Sequence, residues 1–558
     1  MSADSDVMPK FHSSPGLPTH EVLNQAGEPP EHDAYAGDAA LVAAVQAFGG
    51  DWADARLSTA GRHVGSAEVR LLARDANHNP PALRSHDRFG NRIDAIDYHP
   101  AWHALMQMIR GAETHSLAWT ETRPGAQVAR GALAYLWAQG EAGIGCPQAM
   151  TFASVAALRH APDLLNRYRK GIFSAGYDPR PLPPSEKSAL TVAMAMTEKQ
   201  GGSDLRQTMT QARPLGGGRW ALTGHKWFFS VPVSDLILTL ARTEAGVTCF
   251  LAQGWRDDGA RNGLAIQRLK DKCGNRANAS SEVEFRDLEA EMVGADGRGI
   301  ATIIEMAHLT RLECALGSAA LMRQATSLAM FHASRRHAFQ RALIDQTIMR
   351  AVLADMALDA EAALWLAMRA AAAVDAAGRD PREAALARII VPVAKYWVCK
   401  RAPALVAEAL ECHGGNGFIE EQPIARLYRE APLNGVWEGA GNVICLDVIR
   451  ALARTEGAAD ALDAELAPAR GVDAGLDAAL GDLREALARP GAIETQARRI
   501  VERTALALAA SLLLRHAPMP VAEGFIRARL ADPGLAYGSL PADIETGAIL
   551  DRAAVIPA

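Results

Sequence analysis

Between Ala39 and about Leu165 the apolar residues fall at helical spacing: Trp102, Leu105, Met106 and Ile109 share one face, and Gly131 to Gln139 is Ala-rich with aromatics. Residues 1–40, rich in Pro, Gly, His and acids, read as an irregular arm, and Asp178 to Glu186, with four prolines, cannot be helix. The period then shortens. Arg219 to Thr223, Trp227 to Ser230, Leu236 to Leu240, Thr248 to Leu251 and Glu282 to Phe285 are short β-type runs between Gly or Pro turns, and glycines 216–218 suit a hairpin. After Gly299 long helical patterns return over Ile303 to Arg323, Ser327 to His337, Thr347 to Ala373, Pro381 to Cys412 and Cys445 to Ala453, which together read as a bundle. From Glu456 the text stays helical but has no lysine. The expected organisation is an arm and N-terminal helical domain over 1–186, a small β-barrel or sandwich domain over 187–290, a helical bundle over 291–455, and an appended helical domain over 456–558. The fold class is α+β.

The coarse α, β, α order separates this chain from finely alternating α/β enzymes. It has no Gly-x-x-x-x-Gly-Lys-Ser/Thr loop and no Gly-x-Gly-x-x-Gly after a strand, so a bound dinucleotide is not expected to be held in a Rossmann manner. With 49% hydrophobic and 22% charged residues and a net charge of −6, the 558 residues describe a folded globular protein. That balance excludes a disordered polyanion and a uniformly basic nucleic-acid coat. The seven cysteines form no C-x-x-C pair, which fits a reducing cytoplasm better than a zinc or disulfide framework. The first thirty residues lack an apolar stretch behind a basic start, so no secretory signal is expected. The run Ala505 to Leu514 is about half the ~20 residues of a membrane span.

Chemistry concentrates in a few segments. Met196-Thr197-Glu198-Lys199-Gln200-Gly201-Gly202-Ser203 joins small residues, which admit close backbone approach, to hydroxyl groups that can meet a ring edge or pyrophosphate. Alone, it also reads as an ordinary Gly-Gly turn. Glu411 is followed by Gly414-Gly415-Asn416-Gly417-Phe418, then Glu421, Arg426 and Glu430. Trp437-Glu438-Gly439-Ala440-Gly441-Asn442 places a carboxylate just before a helix. His99 and His103 lack a third ligand at zinc spacing and read as core or surface residues, and Cys412 and His413 read as packing residues.

The two glycine-bearing segments resemble the paired signatures of acyl-CoA dehydrogenases. That resemblance implies an FAD-containing oxidoreductase acting on acyl-CoA thioesters. It assigns Met196, Thr197, Gly202, Ser203, Trp437, Gly439 and Asn442 to the cofactor, Phe228 to the flavin face, and Ser230 to the neighbourhood of the reactive nitrogen. Glu438 becomes the catalytic base, since the proton α to a thioester is weakly acidic and an apolar site raises a carboxylate toward useful basicity. Read without the resemblance, Glu438 is a helix N-terminal carboxylate. Some relatives carry the base before a family Arg, but here that slot is Thr310, before Arg311. Arg336, Phe339 and Gly415 resemble segments that contact the cofactor of a neighbouring subunit, which implies a homo-oligomer, a tetramer built as a dimer of dimers.

A narrower resemblance, carried by Asn79-Pro80-Pro81, His99-Pro100-Ala101-Trp102-His103, His225 to Pro232, and Asp271-Lys272 with Gly274-Asn275-Arg276, is to the AidB-type branch of that family. It implies flavoproteins of the response to DNA alkylation, with weak dehydrogenase activity and a C-terminal domain associated with double-stranded DNA. Arg450 matches an Arg of that branch and also reads as a solvated helix-end charge. The last domain holds 10 Arg against 15 acids, yet Arg484 to Arg529 has eight Arg against four Glu, with Arg499 and Arg503 one turn apart. Arg498, Arg499 and Arg503 are therefore candidate phosphate contacts, or an ordinary helix face with pairs such as Arg498–Glu502. Two readings stand: an acyl-CoA dehydrogenase, and a DNA-associated protein with vestigial turnover.

Overall fold

The computed structural model describes residues 22–487 and 493–557. Residues 1–21 of the expected arm, and Arg489, lie outside the described residues. Helix begins where the pattern begins, at Ala39–Ala47, because the Asp38 side chain accepts from the Ala40 and Leu41 amides left free by the first turn. The stretch expected to be mostly helical is interrupted by an antiparallel hairpin, Ala82–His86 with Arg92–Asp97. Asn79-Pro80-Pro81 ends the preceding helix, the Asp87 carboxylate collects the Phe89 and Asn91 amides in the turn, and the hairpin docks on the β-domain through the Ile266 amide, which donates to Asp94 at 3.1 Å.

The β-runs assemble into a barrel. Gln211–Gly216 and Arg219–Ser230 pair antiparallel around glycines 216–218, all three at positive φ. Arg219–Ser230 continues to Ser280–Val293, then Gly246–Gln253, which returns to Leu236–Thr243, and a parallel bridge from Leu236–Thr243 to Gln211 closes the ring. Val192–Ala195 pairs parallel to Leu236–Thr243 and leads directly into the glycine motif.

The two helical segments expected over 303–337 form one helix, Gly299–Arg335, since Gln324-Ala325-Thr326 contains no breaker. This helix determines where the site lies. Its start, with Ile303, Met306 and Leu309, packs into the barrel core. Its remainder, from Leu312 on, packs into a second core with Thr347–Ala376 and Pro381–Cys412.

The C-terminal helices Ala458–Leu466, Ala474–Leu487, Ala497–His516, Met519–Ile526 and Thr546–Ala553 contribute to that same core. Buried charge fixes them further: Arg529 binds Asp359 at 2.8 Å and also Asp355, Arg401 and Tyr537 donate to Asp359, and Arg515 reaches Glu465 at 2.7 Å. Arg527 pairs with Asp543 and Arg503 with Asp482. The local cationic excess of 484–529 is thus largely neutralised by carboxylates outside that stretch, some just beside it and some far away in sequence.

Candidate functional site

Where the long helix crosses from one core to the other, a cavity of about 910 Å³ opens between barrel and bundle. Met196, Thr197, Gly202, Ser203, Phe228, Ser230, Trp437, Glu438, Gly439 and Arg450 all line it. Residues from four separate stretches of sequence therefore meet at one place.

The floor under the glycine motif is a buried ion pair. Glu198 accepts from the Lys226 ammonium at 2.8 Å, the Thr210 hydroxyl at 2.6 Å, the Met209 amide at 2.7 Å and the Gln200 side chain at 2.7 Å, while Lys226 also donates to the Leu240 carbonyl. Burial opposes ionisation of Glu198, but Lys226 and Thr210 prevail and draw its carboxyl down to about 2. Above this floor, a β-carbon on Gly202 would sit 2.3 Å from the Thr197 hydroxyl, so only glycine allows that closeness. Phe228, 53% exposed, shows an open aromatic face beside Ser230, and the Lys270 ammonium stands 4.7 Å from its ring.

Glu438 lies opposite, at φ +57, a left-handed conformation rare for a non-glycine residue. Its carboxylate accepts from the Thr310 hydroxyl at 2.8 Å, and its own carbonyl accepts from Arg311 at 3.0 Å. Arg311 is in turn held by Asp447 at 2.8 Å, which Arg388 also grips. Burial raises the Glu438 carboxyl above its ordinary value, against the opposing pull of Thr310, Arg311 and Lys395. Trp437 is oriented by its indole N–H, which donates to Asn434 at 2.9 Å.

Thr310, noted from sequence only as the missing base of other relatives, thus hydrogen-bonds the Glu438 carboxylate. Glu198, Lys226 and Lys395 were not singled out, because a charged residue in sequence does not reveal its burial. Glu313 is committed to an ion pair with Arg130. Another carboxylate that lines the cavity, the buried Glu430, accepts from the Asn275 amide and side chain.

Other expected residues lie apart. Asn442 is exposed in the first turn of Gly441–Arg454, outside the cavity lining. Arg336, Phe339 and Gly415 sit on another surface, where Phe339 is 93% exposed and Asn24 bridges the segment by bonding both the His337 amide and carbonyl. Arg498 donates to the Tyr396 hydroxyl at 3.1 Å and Arg499 is exposed. His99 caps the helix Pro100–Gly111, and His103 bonds Tyr177.

The family profile described as the adaptive response protein AidB N-terminal domain matches residues 24–179, that of the acyl-CoA dehydrogenase middle domain matches 193–288, and that of its C-terminal domain matches 297–453. AidB of Escherichia coli (strain K12) is 43% identical over 518 residues, covering 92% of this chain and 95% of that one. The chain belongs to the acyl-CoA dehydrogenase family, in its AidB branch. Acyl-CoA dehydrogenase family member 11 of Caenorhabditis elegans is 31% identical over 70% of this chain and 65% of its own length. Among solved structures, the Bd2924 apo-form superposes with a TM-score of 0.82 at 27% identity, covering 88% of this chain and 99% of that one. Caenorhabditis elegans ACDH-11 in complex with C11-CoA gives 0.83 at 27% identity, covering 94% of each. A more distant acyl-CoA dehydrogenase of this fold, from Bacillus anthracis, is complexed with FAD. FAD is the cofactor of acyl-CoA dehydrogenases. The half-exposed ring of Phe228, the small Gly202, and the hydroxyls of Thr197, Ser203 and Ser230 around one cavity fit a flavin and its phosphates. Among the described residues, no helix is long and apolar enough to cross a membrane.

Proposed function

We propose that the protein is a cytoplasmic FAD-containing oxidoreductase that removes hydrogen across the Cα–Cβ bond of an acyl-CoA thioester, with Glu438 taking the α-proton. The observation that carries this reading is the Glu438 carboxylate, half-buried and hydrogen-bonded to Thr310 in the same cavity as Phe228 and Ser230. FAD, when bound, supplies the acceptor for the hydride leaving the β-carbon. The chain's own part is to hold the carboxylate in place, exclude water, and give the base enough proton affinity to remove a weakly acidic proton. ACDH-11, complexed with C11-CoA, supports an acyl thioester as the substrate class.

Arg336, Phe339 and Gly415 are too far from this cavity to complete it from within one chain. In a homotetramer they face the neighbouring subunit's FAD, which explains an aromatic side chain left almost wholly in solvent.

Anaerobic titration with a panel of acyl-CoAs tests the reading. Flavin absorbance is expected to bleach, and, because Glu438 must be ionised to act, the bleaching rate should rise with pH through a midpoint above the ~4.3 of an ordinary glutamate. A protein that takes up no FAD, or whose flavin no thioester bleaches, would remove the assignment.

The alternative, a DNA-associated protein with vestigial turnover, finds less support. Its basic stretch is engaged: Arg498 with Tyr396, Arg503 with Asp482, and Arg515, Arg527 and Arg529 with carboxylates. Duplex binding is expected to be no tighter than the general non-specific range, about 10⁻⁴ to 10⁻⁶ M at physiological salt. Fluorescence anisotropy over a salt series measures this. Nanomolar affinity lost on replacing Arg498, Arg499 and Arg503 together would restore the alternative.

A further inference from the structure

Lys395 lies within Pro381–Cys412 and is 1% exposed. Its ammonium donates to the Gly439 carbonyl at 2.5 Å, and among the described residues it forms no ion pair with a carboxylate. A buried ammonium left without a counter-charge is costly, so something nearby must answer it.

The surroundings identify what does. From the Gly299–Arg335 helix, Thr310, Arg311 and Cys314 face Glu438; from Ala142–Leu158, Cys146; from Pro381–Cys412, Lys395. Burial pushes the Cys146 thiol up to about 11 and Cys314 well above its ordinary value, so both stay neutral. Asp447, on Gly441–Arg454, is shared by Arg311 and Arg388. Arg311 and Lys395 are the two cations that favour the charged Glu438 carboxylate, and Lys395 is the one without a carboxylate of its own in an ion pair among the described residues.

The backbone gives a second reason. Glu438 at φ +57 and Gly439 at φ +102 form a turn that neighbouring contacts must hold. Arg311 binds the first carbonyl of that turn and Lys395 the second.

We propose that Lys395 is a positioning residue for the catalytic turn: from beneath, its ammonium clamps the Gly439 carbonyl and supplies the counter-charge of the Glu438 carboxylate. This rests on Glu438 being the base. Removing the charge therefore disfavours ionised Glu438, whereas a purely structural role changes stability without moving that titration.

The test uses the full-length FAD-loaded protein as wild type, Lys395→Gln and Lys395→Arg. Infrared difference spectra across pH, with Glu438→Gln as the blank, isolate the Glu438 carboxyl band without requiring turnover. In Lys395→Gln the band is expected to titrate about one pH unit higher, a tenfold loss of carboxylate on the acid side, with bleaching slowed about tenfold below the new midpoint and recovering above it. Lys395→Arg should restore the wild-type midpoint. An unmoved midpoint in Lys395→Gln, or the same shift in Lys395→Arg, would overturn the proposal. The double variant Lys395→Gln/Glu438→Gln covers poor folding of the single one: removing both charges is expected to recover stability, and a double variant no more stable than Lys395→Gln counts against the coupling. If wild type shows no bleaching with any thioester, the dehydrogenase reading falls while the carboxyl titration still reports on Lys395.

Discussion

Glu438→Gln is expected to slow flavin bleaching by an acyl-CoA by about 10²- to 10⁴-fold, the usual contribution of a positioned base, while leaving FAD content near wild type. The amide is isosteric, its oxygen can still accept from Thr310, and it introduces no buried charge, so the loss isolates proton removal. Anaerobic stopped-flow absorbance measures it. The control is Glu430→Gln, because Glu430 is the other carboxylate in the cavity whose proton affinity burial raises. Glu430 is occupied by two hydrogen bonds from Asn275, one from the amide at 2.5 Å and one from the side chain at 2.9 Å, which suits a structural anchor. Full activity in Glu438→Gln together with its loss in Glu430→Gln would reverse the two roles.

Lys226→Met is expected to destabilise the protein by about 3–5 kcal/mol near neutral pH, the cost of leaving a buried partner charge uncompensated. Lys226 is fully buried and Glu198 almost so. In the wild type the Glu198 carboxyl titrates at about 2, below the ~4.3 of an unfolded glutamate, so its stabilisation is complete above the unfolded value and fades as pH falls toward 2. Without Lys226 the sign reverses. Burial is then the dominant influence and raises the carboxyl, so the variant's deficit should shrink as acid protonates Glu198. Denaturant unfolding at several pH values reads this directly. Because Glu198 holds the amide of Met209 and the side chains of Gln200 and Thr210, the variant is also expected to lose FAD on gel filtration. A deficit that stays constant with pH would show that Glu198 is not the group left unpaired.

Both predictions depend on partners that sequence motifs do not display. The motif around Gly201 and Gly202 was legible because glycine's need for space is a local requirement; in the fold, Gly202 makes room for the Thr197 side chain, which a β-carbon would strike. The strands were legible for the same reason, though Arg219 to Thr223 and Trp227 to Ser230 are one strand, with irregular register between Leu222 and Gly224 and between Lys226 and Phe229. The hairpin at Ala82–Asp97 was missed. Its alternation is short, and its docking on Ile266 is non-local.

Charge was the least legible property. Between Arg484 and Arg529 the sequence shows a cationic excess and suggests phosphate. In the fold, Arg529 turns inward to Asp355 and Asp359, and Arg515 to Glu465. Asp355 and Asp359 lie about 170 residues earlier in the chain, outside the counted domain, and Glu465 lies outside the basic stretch itself.

Sequence by itself determined the family, the switch from helical to strand period and back, and Glu438 as the carboxylate of interest, because spacing and small-residue motifs are set by backbone geometry over a few residues. Only the tertiary structure decided that Thr310 bonds this carboxylate, that Arg311 and Lys395 clamp its turn, and that Arg336, Phe339 and Gly415 stand on a different surface. The reason is physical: a side chain's charge state and partners depend on which distant elements pack against it, and that is settled only when the barrel and bundle close around the long helix.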